Sequence, residues 1–254
     1  MEIVAIIPAR MGSTRYPGKP LVDIRGMTMV EHVYRRTELS EAVDEVYVAT
    51  PDSEIEEEVK NFGGNAIPTG PHERCTDRVA EAAQNVNTEI VVNVQGDEPL
   101  LHPDMIDLAL KPFRKEKNEE ISAVNLIKEI KDEKEFENTN VIKVIKDSNW
   151  NALYMSREPI PTRERMSFTD LKTYRQVCVI PFKKNFLMEY SSLPPTPLEK
   201  AESIDMLRAI ENGYKIKLIE SDFDTWAVDV PEDREIVKQK LKDDEIFPRY
   251  KTQN

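Results

Sequence analysis

The chain has 254 residues, 39% of them hydrophobic and 32% charged, enough for one large or two small domains with a sizeable core. A formal net charge of −12 argues against a general nucleic-acid binder, which needs a basic face, and no apolar run reaches the length of a membrane span. Met1 leads straight into an acidic residue and a strand pattern, with no signal-peptide features, so a cytoplasmic location is expected. Cys75 and Cys178 match no zinc or redox spacing and are expected as reduced, packed thiols.

Residues 3–7 form an unbroken apolar run rich in β-branched residues, which predicts a strand buried on both faces. It enters a loop carrying Gly12, Pro17, Gly18 and Pro20, with Arg10, Arg15 and Lys19 spaced through it. A basic, glycine-containing loop at the carboxyl end of a buried strand is where α/β sheets bind phosphorylated ligands. Neither GxxxxGK[ST] nor GxGxxG is present, so the loop by itself indicates an anion, with an ordinary basic surface loop as the alternative.

A helix is predicted over 27–37, a strand over 43–49, an acidic helix over 53–62 stopped by Gly63-Gly64, and a short strand over 65–69. That alternation predicts right-handed crossovers and a parallel sheet. His72, Glu73, Arg74, Cys75, Thr76, Asp77 and Arg78 then open a helix over 77–86, with Thr76 as candidate N-cap and Arg74 and Arg78 able to face one way. A solvated helix start explains those residues equally well. Residues 89–94 predict another buried strand, ending in Gln95-Gly96-Asp97-Glu98. Asp97, at the carboxyl tip of a central strand beside a glycine, is well placed to hold a metal over the ligand crevice.

Beyond this lie a helix over 103–113, a charged linker over 114–120, a strand over 121–127 and a helical turn over 132–136. A β-hairpin is predicted from 141–145 and 152–155, a polar mobile loop over 166–172, a strand over 177–181 and a helix over 184–190. One helix is expected from Thr196 to Asn212, then a strand over 216–220. Residues 226–230 read as a short strand carrying Asp229 just before a helix with Pro231 in its first turn. Asp97 and Asp229 make a candidate carboxylate pair for magnesium, with phosphates and waters completing its shell.

The residues now assembled resemble the CMP-Kdo synthetase family, the 3-deoxy-manno-octulosonate cytidylyltransferases, over nearly the whole chain. IIPARMGSTRYPGKPL is similar to the family's opening signature and VNVQGDEP to its central one. NVIKVIKDSNWNALYMSREPIP, PPTPLEKAESIDMLRAIENGYKI and AVDVPEDREIVK follow in the family's order. The resemblance implies an α/β, nucleotide-diphospho-sugar transferase-like (Rossmann-like) fold, a mostly parallel sheet flanked by helices, with a dimerising hairpin arm. It implies a single nucleotidyltransferase domain over 1–254, with a CTP-binding core at 1–125, acceptor binding and dimerisation at about 141–200, and a return to the core at 201–254.

The implied reaction transfers CMP from CTP to an acidic sugar, releasing pyrophosphate, with Mg2+ as cofactor, for surface polysaccharide synthesis. The family motifs carry Arg10, Lys19, Asp97 and Asp229 over as catalytic, Asp97 and Asp229 being the magnesium ligands. Pro8, Ala9, Arg10, Gly12, Ser13, Arg15, Lys19, His72, Arg74, Thr76, Arg78, Gln95 and Asp97 would bind nucleotide. Arg157, Gln176, Glu202 and Asp205 would bind the acceptor, and the implied partners are CTP, an anionic acceptor and a second copy of the chain. His32 and His102 are expected to be structural or exposed.

The chain departs from the family's pattern in places. The family's HxSGTxR is His72-Glu73-Arg74-Cys75-Thr76-Asp77-Arg78 here, and a histidine, a tyrosine and a glutamine of the sugar pocket are Gln176, Ile180 and Met206. A pocket built for hydroxyls loses discrimination when its polar groups go. Kdo is therefore the default acceptor, another sugar acid or a phosphonate the alternative, and a non-catalytic nucleotide-binding protein a third reading.

Overall fold

Burial on both faces makes the opening apolar run a strand, β1 (Ile3–Pro8), in which every residue is buried. The computed structural model describes residues 2–115, 121–166 and 170–251. It divides into two compact units, Met1–Asp107 with Asp224–Asn254, and Leu108–Phe223. Among the described residues no helix is long and apolar enough to cross a membrane.

In the first unit β1 runs into a loop and a 3-10 turn, Lys19–Leu21. A small hairpin that the sequence did not announce follows, β2 (Asp23–Ile24) and β3 (Met27–Thr28). Then come α1 (Met29–Glu38), β4 (Glu45–Thr50), α2 (Ser53–Asn61), β5 (Asn65–Pro68), α3 (Cys75–Ala83) and β6 (Ile90–Val94). The strands pair in the order β5-β4-β1-β6, all parallel as expected. The chain steps outward from β1 to β4 and β5 on one side, then returns to the other side as β6. The topological switch point therefore lies between β1 and β6, the place where open α/β sheets leave a crevice for ligand. Helix α3 begins two residues earlier than expected, so Thr76 is not its N-cap. Thr76 lies inside the first turn, 1% exposed, and its hydroxyl accepts from Asn93 Nδ2 at 3.5 Å.

Helix α4 (Pro103–Lys115) absorbs the start of the expected linker, whose remainder, 116–120, lies outside the described residues. The second unit is built on β7 (Ala123–Ile130), followed by α5 (Glu133–Glu137), β8 (Lys143–Lys146) and β9 (Ala152–Ser156), with β8 and β9 forming the expected hairpin. The strand expected over 177–181 proves to be the junction of two, β10 (Thr173–Val177) and β11 (Val179–Lys183), split at Cys178. Both pair antiparallel with β7. Antiparallel pairing thus dominates this unit, and within the loop expected over 166–172 residues 167–169 lie outside the described residues.

Next come α6 (Lys184–Ser192), α7 (Pro197–Glu202), α8 (Met206–Glu211) and β12 (Ile216–Glu220), which is parallel to β7. The single helix expected from Thr196 to Asn212 is two helices, because Ser203 turns left-handed at φ 56 between them. Gly213, at φ 81, supplies the stop after α8, at the end expected from the sequence.

The chain then rejoins the first unit with α9 (Pro231–Lys240) and α10 (Phe247–Tyr250). Residues 226–230 are not a strand. The segment carries no regular secondary structure and makes one backbone bond to the β6 tip, Val228 N to Asp97 O at 2.9 Å. It is anchored instead by a hydrophobic cluster of Ile24, Met27, Met29, Leu100, Val228, Val237, Leu241 and Phe247.

Beside that cluster His32 is fully buried. Its Nε2 faces the Ile24 carbonyl at 2.7 Å and its Nδ1 the Tyr250 hydroxyl at 2.8 Å, while Arg36 Nε donates to the same hydroxyl at 3.0 Å. A carbonyl only accepts, so Nε2 carries the proton and Nδ1 accepts from Tyr250. Burial pushes the His32 pKa down to about 4 and that of Tyr250 up to about 12.

A histidine whose folded pKa is depressed must lose a proton to fold below its unfolded value. Its neutral burial therefore costs nothing above about pH 6.5, and stability falls as pH drops from there towards 4. The expected loss across that window is about 3 kcal/mol. Urea unfolding of the wild type and His32→Gln at pH 4.5 and 7 should show a markedly flatter pH dependence in the variant.

Candidate active site

The tips of β1 and β6 meet at the switch point, and Gly96 makes their close approach possible. A Cβ on Gly96 would lie 2.6 Å from the Pro8 carbonyl oxygen. The chain therefore leaves β6 by passing directly over the end of β1, which puts Asp97 beside the basic loop.

Met11 organises that loop. Its N–H donates to Asp52 Oδ2 at 2.7 Å, and its carbonyl accepts from Ser13 N at 2.9 Å and Gly18 N at 3.0 Å. Asp52 precedes α2 directly after β4, so a third strand tip holds the loop in place. Closing the loop at Gly18 delivers Lys19 into the crevice.

Lys19 Nζ donates to Asp97 Oδ2 at 2.8 Å, to the Val228 carbonyl at 3.0 Å and to Asp229 Oδ1 at 3.3 Å. Arg15 Nη2 donates to the same Asp229 oxygen at 2.9 Å. Burial pulls the Lys19 ammonium down, but the two carboxylates outweigh it and hold its pKa above the ordinary lysine value. Asp229 is fixed from behind, since Asp233 of α9 accepts from its N–H at 2.8 Å and from Val230 N at 3.0 Å. Asp233, an acid in the first turn of α9, thus orients Asp229.

Arg78, on α3, is 3% exposed and donates to the His72 carbonyl at 3.2 Å, on which exposed Arg10 also converges at 3.4 Å. Burial, reinforced by Arg10, pulls Arg78 below the ordinary arginine value. Its Nε is buried without a hydrogen-bond partner among the described residues. A buried cation with an unmet donor favours an anionic or acceptor-rich ligand.

These groups surround a cavity of about 260 Å³. Of the residues the sequence nominated, Pro8, Ala9, Arg10, Ser13, Arg15, Lys19, Arg78, Gln95, Asp97 and Asp229 line it. Gly12, His72, Arg74 and Thr76 are not among its lining residues. The His72 ring turns instead to Glu81, and that bond, with two from the Gly70 amide, holds the Glu81 carboxyl below its ordinary range. Arg74 is the residue before α3. Cys75 lines the cavity, its Sγ accepting from Gln95 Nε2 at 3.1 Å. Thr14, Met29 and Glu73 also line it and carried no sequence signal. Asp52 did carry one, since in a parallel sheet every strand's carboxyl end lies on the same side.

Among the described residues no three His, Cys, Asp or Glu side chains cluster as metal ligands. Asp97 and Asp229 nonetheless offer two hard oxygen donors, converging on a position that already accommodates a positive charge. That donor set fits magnesium, which is commonly held by one or two carboxylates with phosphates and waters.

The nominated acceptor residues lie in the second unit. Arg157 follows β9, with Nε donating to the Glu202 carbonyl at 2.7 Å, Nη1 to Thr139 O at 3.3 Å and Nη2 to Ser203 O at 3.4 Å. Glu202 accepts from Arg157 N at 2.8 Å, Ser156 Oγ at 2.8 Å and Tyr154 OH at 3.2 Å. Partial burial raises the Glu202 pKa, but these bonds outweigh it and leave the carboxyl below its ordinary range. Gln176 Nε2 donates to the buried Asn125 Oδ1 at 2.7 Å, and the Asp205 carbonyl accepts from Tyr190 OH at 2.9 Å. Ile180 and Met206, at two positions where the sequence departs from the pattern it resembles, are core residues of this unit.

Replacing Asp52 by Ala removes the acceptor for Met11 N and frees the loop that carries Arg15 and Lys19. The affinity for inorganic triphosphate should fall about tenfold while the melting temperature changes little, and Asp52→Asn should restore most of it.

The model of a family described as cytidylyltransferase matches residues 4–217. The 3-deoxy-manno-octulosonate cytidylyltransferase of Geobacter sulfurreducens is 45% identical over 253 residues, covering 95% of this chain and 100% of that one. The enzyme of the same name from Trichlorobacter lovleyi is 42% identical, covering 95% and 99%. A solved structure of CMP:2-keto-3-deoxy-manno-octonic acid synthetase complexed with CTP superposes with a TM-score of 0.89 at 36% identity, covering 96% of this chain and 99% of that one. With relatives this similar along nearly all of its length, the chain belongs to the cytidylyltransferase family.

Proposed function

We propose that the chain transfers CMP from CTP to 3-deoxy-manno-octulosonate and releases pyrophosphate. The observation that carries this reading is the meeting of Lys19, Asp97 and Asp229 in one crevice, with Arg15 on the same carboxylate and Arg10 and Arg78 close by. The names of the relatives, and the CTP in the similar solved structure, supply the nucleotide and the acceptor.

A sugar hydroxyl oxygen attacks the α-phosphorus, forming the new O–P bond as the bond to the bridging β-phosphate oxygen breaks; pyrophosphate takes the electron pair and the hydroxyl proton passes to water. Transfer of this kind depends on positioning and charge neutralisation more than on covalent help from the protein. Arg10, Arg15, Lys19 and Arg78 bind the triphosphate, and Ser13 with the loop backbone orients it. Asp97 and Asp229 hold Mg2+, which when bound supplies Lewis-acid charge to the phosphate oxygens. Arg157 spends three of its N–H donors on backbone carbonyls. A guanidinium has five, so two remain for an anionic acceptor.

Arg74, an added arginine where the sequence departs from the family's pattern, is not among the residues lining the cavity. Full-length similarity to enzymes named for Kdo supports Kdo as the acceptor. Dimerisation through about 141–200 belongs to the same proposal. It is supported by two exposed leucines in that stretch, Leu153 at 55% on β9 and Leu198 at 38% on α7.

Pyrophosphate release from CTP with Kdo, other sugar acids and phosphonates tests the acceptor, and a better substrate than Kdo would overturn it. Asp97→Asn should lower kcat by at least about 100-fold with the fold intact by circular dichroism. Light scattering should give twice the chain mass, and Leu153→Glu should halve it.

A further inference from the structure

One oxygen of each carboxylate is already engaged by a cation. Asp97 Oδ2 accepts from Lys19 at 2.8 Å, while Asp229 Oδ1 accepts from Lys19 at 3.3 Å and from Arg15 at 2.9 Å. A divalent metal liganded by those two oxygens must stand where the ammonium now stands, because metal–oxygen distances near 2 Å leave no room for Lys19 as well. The charges point the same way. Arg10, Arg15, Lys19 and Arg78 oppose Glu73, Asp97 and Asp229 around the cavity, which leaves one positive charge. A lone divalent cation would enter a site already positive and displace three charge-assisted bonds with nothing to receive the donors. A triphosphate brings about four negative charges and the oxygens on which Lys19 and Arg15 can land.

We propose that Lys19 and Arg15 act as internal counter-ions that close the Asp97–Asp229 site to metal until a nucleoside triphosphate draws them away. Nucleotide therefore gates metal entry. The inference rests on the magnesium and triphosphate roles proposed above and adds an order to them. Lys19 suits the exchange: its side chain is 15% exposed and its stem flexible, so the ammonium can move from carboxylate to phosphate without rebuilding the loop. Arg15 is 51% exposed, so its guanidinium can turn from Asp229 to a phosphate without a rearrangement of the core. Linkage makes the effect reciprocal, so metal must also tighten nucleotide binding by the factor with which nucleotide tightens metal.

The test is Mn2+ binding without nucleotide, read from the loss of the free-ion EPR signal, for wild type, Lys19→Met and Arg15→Met. Wild type should bind the ion weakly, Lys19→Met at least tenfold more tightly, and Arg15→Met severalfold more tightly. Asp97→Asn in the Lys19→Met background should abolish the gain. Arg15→Met removes an exposed side chain and keeps the test alive if Lys19→Met does not fold. Equal Mn2+ affinity in all three proteins, or tight binding by the wild type alone, would overturn the gating. CTP binding by wild type, measured calorimetrically with and without Mg2+, separates the two levels. No CTP binding in either condition would remove the functional reading and the gating with it. Tight CTP binding that is indifferent to Mg2+ would remove the gating alone.

Discussion

One ammonium group holds the first unit's crevice together. Lys19 Nζ reaches Asp97, Asp229 and the Val228 carbonyl at once, so two like charges lie within two hydrogen-bond lengths of each other. Carboxylates that close repel unless a cation stands between them. Whatever occupies that position, side chain or metal, is a requirement of the local electrostatics. The surrounding fold serves it: the β1–β6 switch point opens the crevice, and Gly96 lets Asp97 cross the end of β1. A hydrophobic cluster around Val228 then returns the distant Asp229 to the same place.

The two units spend charge differently. In the first, the cations of the cavity are half-committed and face open volume, which leaves them available to a polyanion. In the second, the buried charges are closed off. Arg208 and Glu199, at 2% and 0% side-chain exposure, form a two-point pair, with the guanidinium over the Tyr190 ring. Lys143 is fully buried and donates to the carbonyls of Asn138 and Val141 at 2.9 and 2.7 Å and to that of Arg157. Burial pulls its pKa below the ordinary lysine value. Such satisfied networks fix geometry around β8, β9 and α7 more than they add stability.

Elements whose identity depends on local burial were readable in advance. The strands over 3–8 and 90–94 are apolar on both faces and could be little else. Segments whose identity depends on a partner were misjudged. Residues 226–230 have a strand's composition, yet only Val228 finds a backbone partner at the β6 tip. The helix begun at Thr196 keeps its periodicity through Ser203, but Glu199 is drawn inward to Arg208 and the backbone reverses hand between them. Thr76 looked like a cap, whereas α3 begins before it because its side of that turn faces Asn93 in the core.

By itself the sequence determined the α/β order, the basic loop after the first strand, the acids at 97 and 229 and the motifs that carry family membership. Each is a matter of neighbouring residues, and neighbours settle propensity, burial pattern and signature. Only the tertiary structure decided which side chains meet. Asp97 lies 78 residues from Lys19 and Asp229 lies 210, and no local preference can state that both reach one ammonium. Strand order, the missing Cβ at Gly96 and the docking of the returning segment close those distances. Asp52 divides the same way: its place at a strand's carboxyl end was legible, but only the folded chain shows it accepting from Met11 N and steadying the loop.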